Sequence, residues 1–263
     1  MRALGAMSPA TRAGLRGVIF DVDDTLTTHG TLTAEAYASL FSLRDAGLRL
    51  IAVTGRPLGW TDAMAASWPV DLAVGENGAG WAWRRGRGLE LGYFDDEATR
   101  RRHASLLAEV RSRVAARFEE IAVAGDQPAR RCDLAFDVGE EASVPAARVA
   151  ELVDTIEAAG ARATVSSVHA HAVPGGWDKA RGVVRAARDA LGEDLDADRA
   201  AWLFVGDSGN DAAAFAHFEH TVGVANVRAH LPRLEVPPRW VTEAARGAGF
   251  VELAAALTEG RDG

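Results

Sequence analysis

The chain of 263 residues carries 29 Lys and Arg against 37 Asp and Glu, which gives a formal net charge of −8 at pH 7. Hydrophobic residues make up 48% and charged residues 25% of the chain, which are ordinary values for a globular protein with a substantial core. The negative charge argues against nucleic acid as a partner, a single cysteine excludes an internal disulfide, and no apolar run reaches the roughly 18–20 residues of a membrane span.

The N-terminal segment and the cysteine content favour a cytoplasmic protein. Residues 1–14 carry Arg2 and Arg12 but no long apolar core, so we expect a loose N-terminal tail rather than a secretory signal. The one cysteine, Cys132, fits a reducing compartment.

Strands and helices alternate through the first third of the chain. In order, the pattern predicts a strand at 18–20, a helix from Thr33 to Gly47, a strand at 48–53, a helix at 59–67 and a strand at 70–74. Alternation at these intervals is typical of a parallel sheet with right-handed crossovers. Ligands of such sheets bind beyond the carboxyl ends of the strands.

The pattern changes near residue 80. Alternating apolar residues predict a hairpin at 81–93 and strands at 132–136 and 161–173, with helices at 97–118 and from Pro145 to Gly160. Antiparallel strands with intervening helices indicate a separate α+β unit. We therefore expect a cap domain at 84–173 inserted into a core domain made of residues 15–83 and 174–263.

The earlier alternation returns after the insertion. A helix at about 178–191 leads to a strand at 201–205, a short helix, strand segments near 221–224 and 240–241, and a final helix. The sequence thus predicts the α/β class, with a Rossmann-like parallel-sheet core domain and an inserted α+β cap domain.

Polar residues gather where the predicted core strands end. They are Asp21 and Asp23 after the first strand, Thr54 after the second, Lys179 at a helix start, and Asp207 with Asn210 and Asp211 after a later strand. Each alone has a plain explanation as a turn former, a helix cap or a surface lysine. Their joint placement at one edge of one predicted sheet makes independent explanations improbable.

This set of residues fits phosphoryl transfer. Asp21 is the predicted nucleophile, which would form an aspartyl-phosphate, and Asp23 is the predicted acid/base. The Thr54 hydroxyl, the Gly55 N–H and the Lys179 ammonium would stabilise charge on the phosphoryl oxygens. Mg²⁺ is the predicted cofactor, because hard divalent ions take oxygen ligands. The predicted metal residues are Asp21, Asp23 through its carbonyl, Asp207 and Asp211.

Four motifs in this order resemble those of the haloacid dehalogenase (HAD) phosphatase superfamily. They are Asp-x-Asp-x-Thr-Leu-Thr at 21–27, Thr-Gly-Arg at 54–56, Asp-Lys at 178–179 and Gly-Asp-Ser-x-Asn-Asp at 206–211. Asp24 departs from the commoner glycine and is predicted to be a turn residue. The insertion resembles the class-two (C2B-like) cap of the Cof-like subfamily, which includes sugar-phosphate and sucrose-phosphate phosphatases. The resemblance implies a phosphatase acting on a small phosphorylated metabolite such as a sugar phosphate.

Further polar residues are predicted to contact the substrate. Ser167, His169 and His171 fall on one face of a strand that runs into the third motif. The two histidines could instead be a metal pair, although no third ligand lies nearby in the sequence. The predicted substrate-binding residues are Gly55, Arg56, Asn77, His169, His171 and Asn210.

Two other functions stay open at this point. A phosphosugar mutase of the phosphomannomutase type resembles this motif set and cap, and a metabolite-binding protein without catalysis would keep the same fold. The sequence predicts a small phosphorylated substrate, no nucleic acid or membrane partner, and a monomer or homodimer.

Overall fold

Two β-sheets organise the residues that this computed structural model describes, 1–166 and 168–261. Ser167 therefore lies outside the described residues. The strands are β1 (Arg2–Ala3), β2 (Gly17–Asp21), β3 (Arg49–Val53), β4 (Leu72–Gly75), β5 (Gly80–Arg85), β6 (Gly88–Tyr93), β7 (Leu134–Asp137), β8 (Arg162–Val165), β9 (His169–Val173), β10 (Trp202–Gly206), β11 (His220–Gly223) and β12 (Trp240–Val241).

Eight α-helices connect or cover these strands. They are α1 (Pro9–Gly14), α2 (Ala34–Asp45), α3 (Leu58–Ser67), α4 (Glu97–Arg117), α5 (Ala146–Ala158), α6 (Lys179–Leu191), α7 (Ala212–His217) and α8 (Arg246–Thr258). Short 3-10 helices lie at Leu4–Ala6, Glu76–Gly78, Gln127–Ala129, Arg199–Ala201, Gly209–Asp211, Ala225–Ala229 and Leu231–Arg233.

The larger sheet is the core sheet, and its strands lie in the order β1-β12-β11-β10-β2-β3-β4-β5-β6. The first seven strands in this order, which end with β4, are all parallel. β5 and β6 add an antiparallel hairpin at one edge. The smaller sheet, β7-β9-β8, is antiparallel throughout. The predicted fold class, a parallel α/β core with a separate α+β insertion, is confirmed.

The central strand β2 shows why this sheet forms. All five of its residues are buried, as expected for a parallel strand covered by helices on both faces. Val18 and Phe20 face an apolar cluster that contains Phe250 of α8, whose ring lies 5.3 Å from that of Phe20. Ile19 faces the opposite cluster, which contains Val183 of α6. Because both faces are fixed, the strand's carboxyl end and its acids have one defined position.

The smaller sheet has an apolar core of its own. Val110 and Val114 of α4 and Leu152 and Ile156 of α5 pack against Phe136 and other residues of its strands. Asp96 caps α4 by accepting a hydrogen bond from Thr99 N at 2.7 Å, which supports the predicted start of that helix. This unit lies between β6 and α6 in the chain.

The edge hairpin bears on the expected domain limits. The sequence analysis began the cap at residue 84, but 84–93 continue the hairpin whose first strand hydrogen-bonds to the core strand β4. We propose that the inserted unit begins after Tyr93. We also propose that the inserted unit ends at residue 173, and that the core domain begins at residue 15 and resumes at residue 174.

The N-terminal residues differ from the expected loose tail. Arg2 and Ala3 pair with Trp240 and Val241 at the edge of the core sheet, and Leu4 and Met7 are buried. The expectation of a loose tail at 1–14 was therefore wrong, because the two-residue strand pairs with the core sheet and the 3-10 helix that follows buries Leu4, with Met7 buried just after it.

No helix among the described residues is both long enough and apolar enough to cross a bilayer.

Candidate active site

The predicted site residues come together at the carboxyl edge of the core sheet. Asp21 ends β2, Thr54 follows β3, Asn77 follows β4 and Asp207 follows β10, and these strands are neighbours in the sheet. The second sheet brings His169 and His171 on β9 over the same edge. Asp21 and Asn210, 189 positions apart in the chain, therefore share one cavity.

The loop after β2 fixes the Asp21 carboxylate. Thr25 Oγ1 donates a hydrogen bond to Asp21 Oδ2 at 3.1 Å, and the backbone N–H groups of Leu26 and Thr27 bond to Val22 O. Asp24 takes a left-handed backbone conformation with φ 55°, and its carboxylate accepts a hydrogen bond from Arg246 Nε at 3.1 Å. Asp24 is thus the turn residue that the sequence predicted.

Lys179 lies fully buried between two carboxylates. Its Nζ donates to Asp21 Oδ1 and to Asp211 Oδ1, both at 2.6 Å. Asp178 caps the N-terminus of α6 through Arg181 N, which fixes the first turn of the helix and with it Lys179. Burial opposes the charged form, but the carboxylates of Asp21 and Asp211 raise the pKa of Lys179 above its ordinary value. The side chain is therefore a fixed ammonium ion.

Three buried carboxylates, from Asp21, Asp207 and Asp211, form one cluster. One oxygen of each lies within 4.8 Å of the others. Burial and the charges of Asp211 and Asp23 raise the pKa of Asp21 to about 7, although Lys179 opposes the shift. Burial and the neighbouring carboxylates also raise the pKa of Asp207 well above its ordinary value. Because one lysine does not neutralise three carboxylates, the cluster favours an additional cation.

The hydrogen bonds of this cluster test whether a metal fits. Asp211 Oδ1 accepts from Lys179, and Asp211 Oδ2 accepts from the backbone N–H groups of Asp207 and Ser208 at 2.8 and 3.0 Å. Asp207 Oδ1 is buried and has no hydrogen-bond partner within the described part of the chain. Such an oxygen is costly unless something pairs with it. The triad can therefore hold a metal ion, with Asp207 offering the free oxygen.

Asn226 belongs to this site although the sequence analysis did not select it. Its Nδ2 donates to Asp207 Oδ2 at 2.8 Å and to the backbone carbonyl of Asp24 at 3.0 Å. Its Oδ1 accepts from Arg246 N at 2.9 Å. The signal available in the sequence was its position just after the predicted strand near 221–224, where the sheet's carboxyl edge continues.

Asp23 is held chiefly by Arg56. Arg56 Nε donates to Asp23 Oδ1 and Oδ2 at 3.0 and 3.1 Å, while Thr54 Oγ1 lies 3.5 Å from Asp23 Oδ2. Arg56 Nη1 donates to Glu140 Oε1, in the loop after β7, at 2.8 Å. Burial alone would lower the pKa of Arg56, but the carboxylates of Asp23 and Glu140 raise it. Arg56, predicted to contact substrate, is thus occupied by two carboxylates.

His169 and His171 are both buried, and their rings lie 5.8 Å apart. His171 Nδ1 is 2.9 Å from Asp133 Oδ2, and His169 Nε2 is 2.8 Å from Glu140 Oε2. Burial lowers the pKa of His171, against the raising effect of Asp133. The metal-suited cluster found among the described residues contains neither histidine, so the alternative of a histidine metal pair gains no support.

The loops around Gly55 leave room in the cavity. A Cβ on Gly55 would lie 3.3 Å from Asn77 Oδ1 and 3.4 Å from His171 Nε2, so a larger residue would crowd this wall. Asn210 Nδ2 donates to Asn77 Oδ1 at 3.1 Å, and Ser208 Oγ donates to Asn210 Oδ1 at 2.9 Å. Gly55 and Asn210 thus line the cavity on the core side, and Asn77 lies against both.

A buried polar contact joins the two sheets beside this wall. Glu76 accepts hydrogen bonds from four backbone N–H groups, those of Leu58, Arg131, Cys132 and Asp133. Arg130 Nη1 donates to Gly55 O at 2.9 Å and pairs with Asp133. This contact was not predictable from the sequence, because no local spacing brings positions 76 and 131–133 together.

The resulting cavity lies between the core sheet and the smaller sheet. The space between its atoms, including the open solvent at its mouth, is about 280 Å³. It is lined by Asp21, Asp23, Gly55, Arg56, Ser166, Val168, His169, His171, Ser208 and Asn210. Acids, hydroxyl groups, an arginine and two histidines line the cavity, and the buried Lys179 is bonded to Asp21 in its wall, as a site for a small anion and a metal requires.

Solved structures share this architecture at low sequence identity. A sucrose-phosphatase from Synechocystis, solved with sucrose and phosphate, matches with a TM-score of 0.65 at 15% identity, over 92% of this chain and 98% of that one. BT1666 from Bacteroides thetaiotaomicron, described among phosphatases of the HAD superfamily, matches with a TM-score of 0.59 at 19% identity, over 96% and 97%. A putative HAD/Cof-like hydrolase from Plasmodium vivax matches with a TM-score of 0.63 at 16% identity, over 94% and 96%.

No protein-family model and no curated protein sequence matches the chain. The structural likenesses show that the chain has the HAD/Cof-like hydrolase fold with a cap domain, as its motifs predicted.

Proposed function

We propose that this protein is a Mg²⁺-dependent phosphatase that hydrolyses a small phosphorylated metabolite, specifically a sugar phosphate. The observation that carries the proposal is the buried cluster of Asp21, Lys179, Asp207 and Asp211 with Asp23 beside it. The match to a sucrose-phosphatase solved with its sugar and phosphate supports the choice of substrate class.

The metal is assigned from the oxygen ligands that the cluster offers. Mg²⁺ would be held by Asp21, the Asp23 carbonyl and Asp207. Asp207 Oδ1 can bind the ion because it has no hydrogen-bond partner among the described residues. Asp211, predicted as a ligand, would act by holding Lys179 and the loop, because both its oxygens already accept hydrogen bonds. Mg²⁺ would offset repulsion between the Asp21 carboxylate and the phosphate dianion.

The reaction divides between Asp21 and Asp23. Asp21 attacks phosphorus in line, the bond from phosphorus to the leaving oxygen breaks, and the Asp23 carboxyl gives its proton to that oxygen. The Asp23 carboxylate then takes a proton from water, whose oxygen attacks phosphorus and releases inorganic phosphate from Asp21. Thr54, Gly55 N–H and Lys179 stabilise the phosphoryl oxygens throughout.

The smaller sheet supplies the groups that would meet the leaving group. His169 and His171 lie on β9 and line the cavity with Ser166. Asn77, Gly55 and Asn210 face them from the core side. These groups donate and accept hydrogen bonds, which suits a hydroxylated leaving group such as a sugar.

The test is phosphate release from a panel of sugar phosphates and aryl phosphates with Mg²⁺. Wild type should release inorganic phosphate, and Asp21→Asn should lower kcat by about three orders of magnitude or more. Asp45→Asn makes the same change at an exposed position of α2 and should leave kcat unchanged.

Two results would contradict the proposal. Turnover of no ester, or equal turnover by Asp21→Asn, would remove the phosphatase assignment. Recovery of isomeric sugar phosphates in place of free sugar and phosphate would identify a phosphosugar mutase instead.

A further inference from the structure

We infer that Arg56 is a positioning residue that aims the Asp23 carboxylate, and that Glu140 of the cap holds Arg56 in place for this task. The inference rests on the proposed function, because aiming Asp23 matters only if Asp23 transfers protons. It gives the cap a part in the chemical step through a residue that does not touch the reacting atoms.

On the core side, the Arg56 fork determines the plane of the Asp23 carboxylate. Nε lies 3.0 and 3.1 Å from the two Asp23 oxygens, and Nη2 lies 3.0 Å from Oδ1. A guanidinium that makes several contacts with one carboxylate fixes its orientation as well as its position. Thr54 Oγ1, at 3.5 Å, makes only a long contact with Asp23. Arg56 is therefore the main restraint on Asp23.

Arg56 has little freedom to bind phosphate as well. Its side chain is only 10% exposed, and Nη1 donates to Glu140 Oε1 at 2.8 Å. The guanidinium carbon also lies 5.1 Å from the ring centre of Trp60. Nε and Nη2 contact Asp23, while Nη1 donates to Glu140 and lies 4.0 Å from Asp126 Oδ2. The guanidinium therefore links one core acid to two acids of the inserted unit, of which Glu140 accepts the hydrogen bond.

On the cap side, Glu140 stands in a loop built to present it. The Asp137 carboxylate accepts hydrogen bonds from the backbone N–H groups of Gly139, Glu140, Glu141 and Ala142, at 2.8–3.1 Å. The backbone N–H groups of Val138 and Gly139 bond to Val168 O, next to β9.

The second oxygen of Glu140 lies against a buried histidine. Glu140 Oε2 is 2.8 Å from His169 Nε2, without the angle of a hydrogen bond, so the Glu140 carboxylate sits between His169 and Arg56 and is bonded to Arg56. An unlinked arginine has several rotatable bonds and would sample other positions. Removing the Glu140 charge should therefore loosen Arg56 and, through it, Asp23.

Leaving-group chemistry separates this role from a structural or a binding role. Phenyl phosphate and p-nitrophenyl phosphate carry similar rings, but p-nitrophenolate is the better leaving group and depends less on a proton from Asp23. A mispositioned Asp23 therefore slows phenyl phosphate more than p-nitrophenyl phosphate. The ratio of the two kcat/KM values does not depend on how much of the enzyme is folded.

The experiment measures kcat/KM for both esters with Mg²⁺ in wild type, Glu140→Gln, Arg56→Lys and the double variant. We expect Glu140→Gln to lower kcat/KM about 10-fold for phenyl phosphate and no more than about twofold for p-nitrophenyl phosphate. Arg56→Lys should show the same selectivity with a larger loss, because lysine lacks the fork. Glu141→Gln, at an exposed neighbour in the same loop, should behave as wild type.

A double-variant comparison tests whether Glu140 acts through Arg56. The variant with both changes should be no slower than Arg56→Lys alone, because the two residues form one linkage. Equal losses on both esters, additive losses, or no loss in Glu140→Gln would overturn the inference and leave the phosphatase assignment standing. If wild type hydrolyses neither these esters nor any sugar phosphate, the proposed function fails, and the inference fails with it.

Discussion

Lys179 is the single lysine among the 29 basic residues of the chain, and it is completely buried. The other basic side chains are arginines, and many of them form ion pairs with acids at the surface, such as Arg16, Arg148 and Arg185. A compact ammonium fits between Asp21 and Asp211 at 2.6 Å from each, where a planar guanidinium is too large. The position therefore selects for shape as well as for charge.

We predict that Lys179→Arg abolishes most activity although it keeps the charge. The larger side chain would push Asp21 and Asp211 apart, and overpacking of a buried site costs about 1–3 kcal/mol. Phosphate release and urea unfolding measure the two effects. Arg185→Lys, at an exposed position on α6, serves as the control for exchanging the two residue types. Activity near that of wild type in Lys179→Arg would show that charge alone is needed.

A second prediction concerns Asn226, which orients Asp207 through one of its two oxygens. Groups that orient a metal ligand typically contribute about 10–100-fold to metal affinity. Asn226→Ala should therefore weaken Mg²⁺ binding by about that factor, as measured by calorimetric titration without substrate. Unchanged affinity in a folded Asn226→Ala protein would show that Asp207 needs no such support.

At the residue scale, the sequence predicted those site residues whose place follows from the strand that precedes them in the chain. Asp21, Thr54 and Asp207 directly follow strands, so their common edge was predictable from the parallel pattern. Asn226 and Glu140 gain their partners only through the fold, since Glu140 lies 84 positions from Arg56. The occupation of Arg56 by two carboxylates was unpredictable for the same reason.

At the element scale, the loop after β7 depends on one carboxylate. Burial of Asp137 works against its charged form, but four backbone N–H groups outweigh it and lower the pKa of Asp137 below its ordinary value of 3.8. For an acid with a lowered folded pKa, the stabilisation is complete above the unfolded pKa and is lost as the pH falls through the folded pKa.

We predict that Asp137→Asn destabilises the protein at neutral pH and that the difference from wild type shrinks below about pH 4. Urea unfolding between about pH 7 and pH 3 measures both parts. Asp154→Asn, at an exposed position on α5, should show neither effect. A difference that stays constant across this range would contradict a role for the ionised carboxylate.

The edge hairpin shows the limit of pattern at this scale. The sequence of β5 and β6 alternates apolar and other residues, which is equally typical of an antiparallel cap and of an antiparallel edge on a parallel sheet. The pairing of β5 with β4 shows that the hairpin is an edge of the core sheet. Strand pairing of this kind depends on the fold and cannot be read from the local sequence. Likewise, β1 has two residues, too few for any period to be visible.

At the scale of the whole molecule, the fold encloses more negative charge at its active site than its own cations balance. Asp21, Asp207 and Asp211 are buried together around Lys179, and Asp207 Oδ1 has no partner among the described residues. Burying unbalanced charge opposes folding. The stability of the whole chain should therefore depend on an added divalent cation.

The last prediction is that Mg²⁺ raises the thermal unfolding temperature and that removing it with a chelator lowers it. A ligand at 100 times its Kd stabilises the folded state by about 2.7 kcal/mol, which corresponds to roughly 5–10 °C for a chain of this size. Asp207→Asn removes one buried charge together with the free oxygen. It should therefore unfold at a higher temperature than metal-free wild type and gain nothing from Mg²⁺. An equal Mg²⁺ gain in Asp207→Asn and wild type would place the cation elsewhere, whereas a gain in neither would remove the metal site from the proposal.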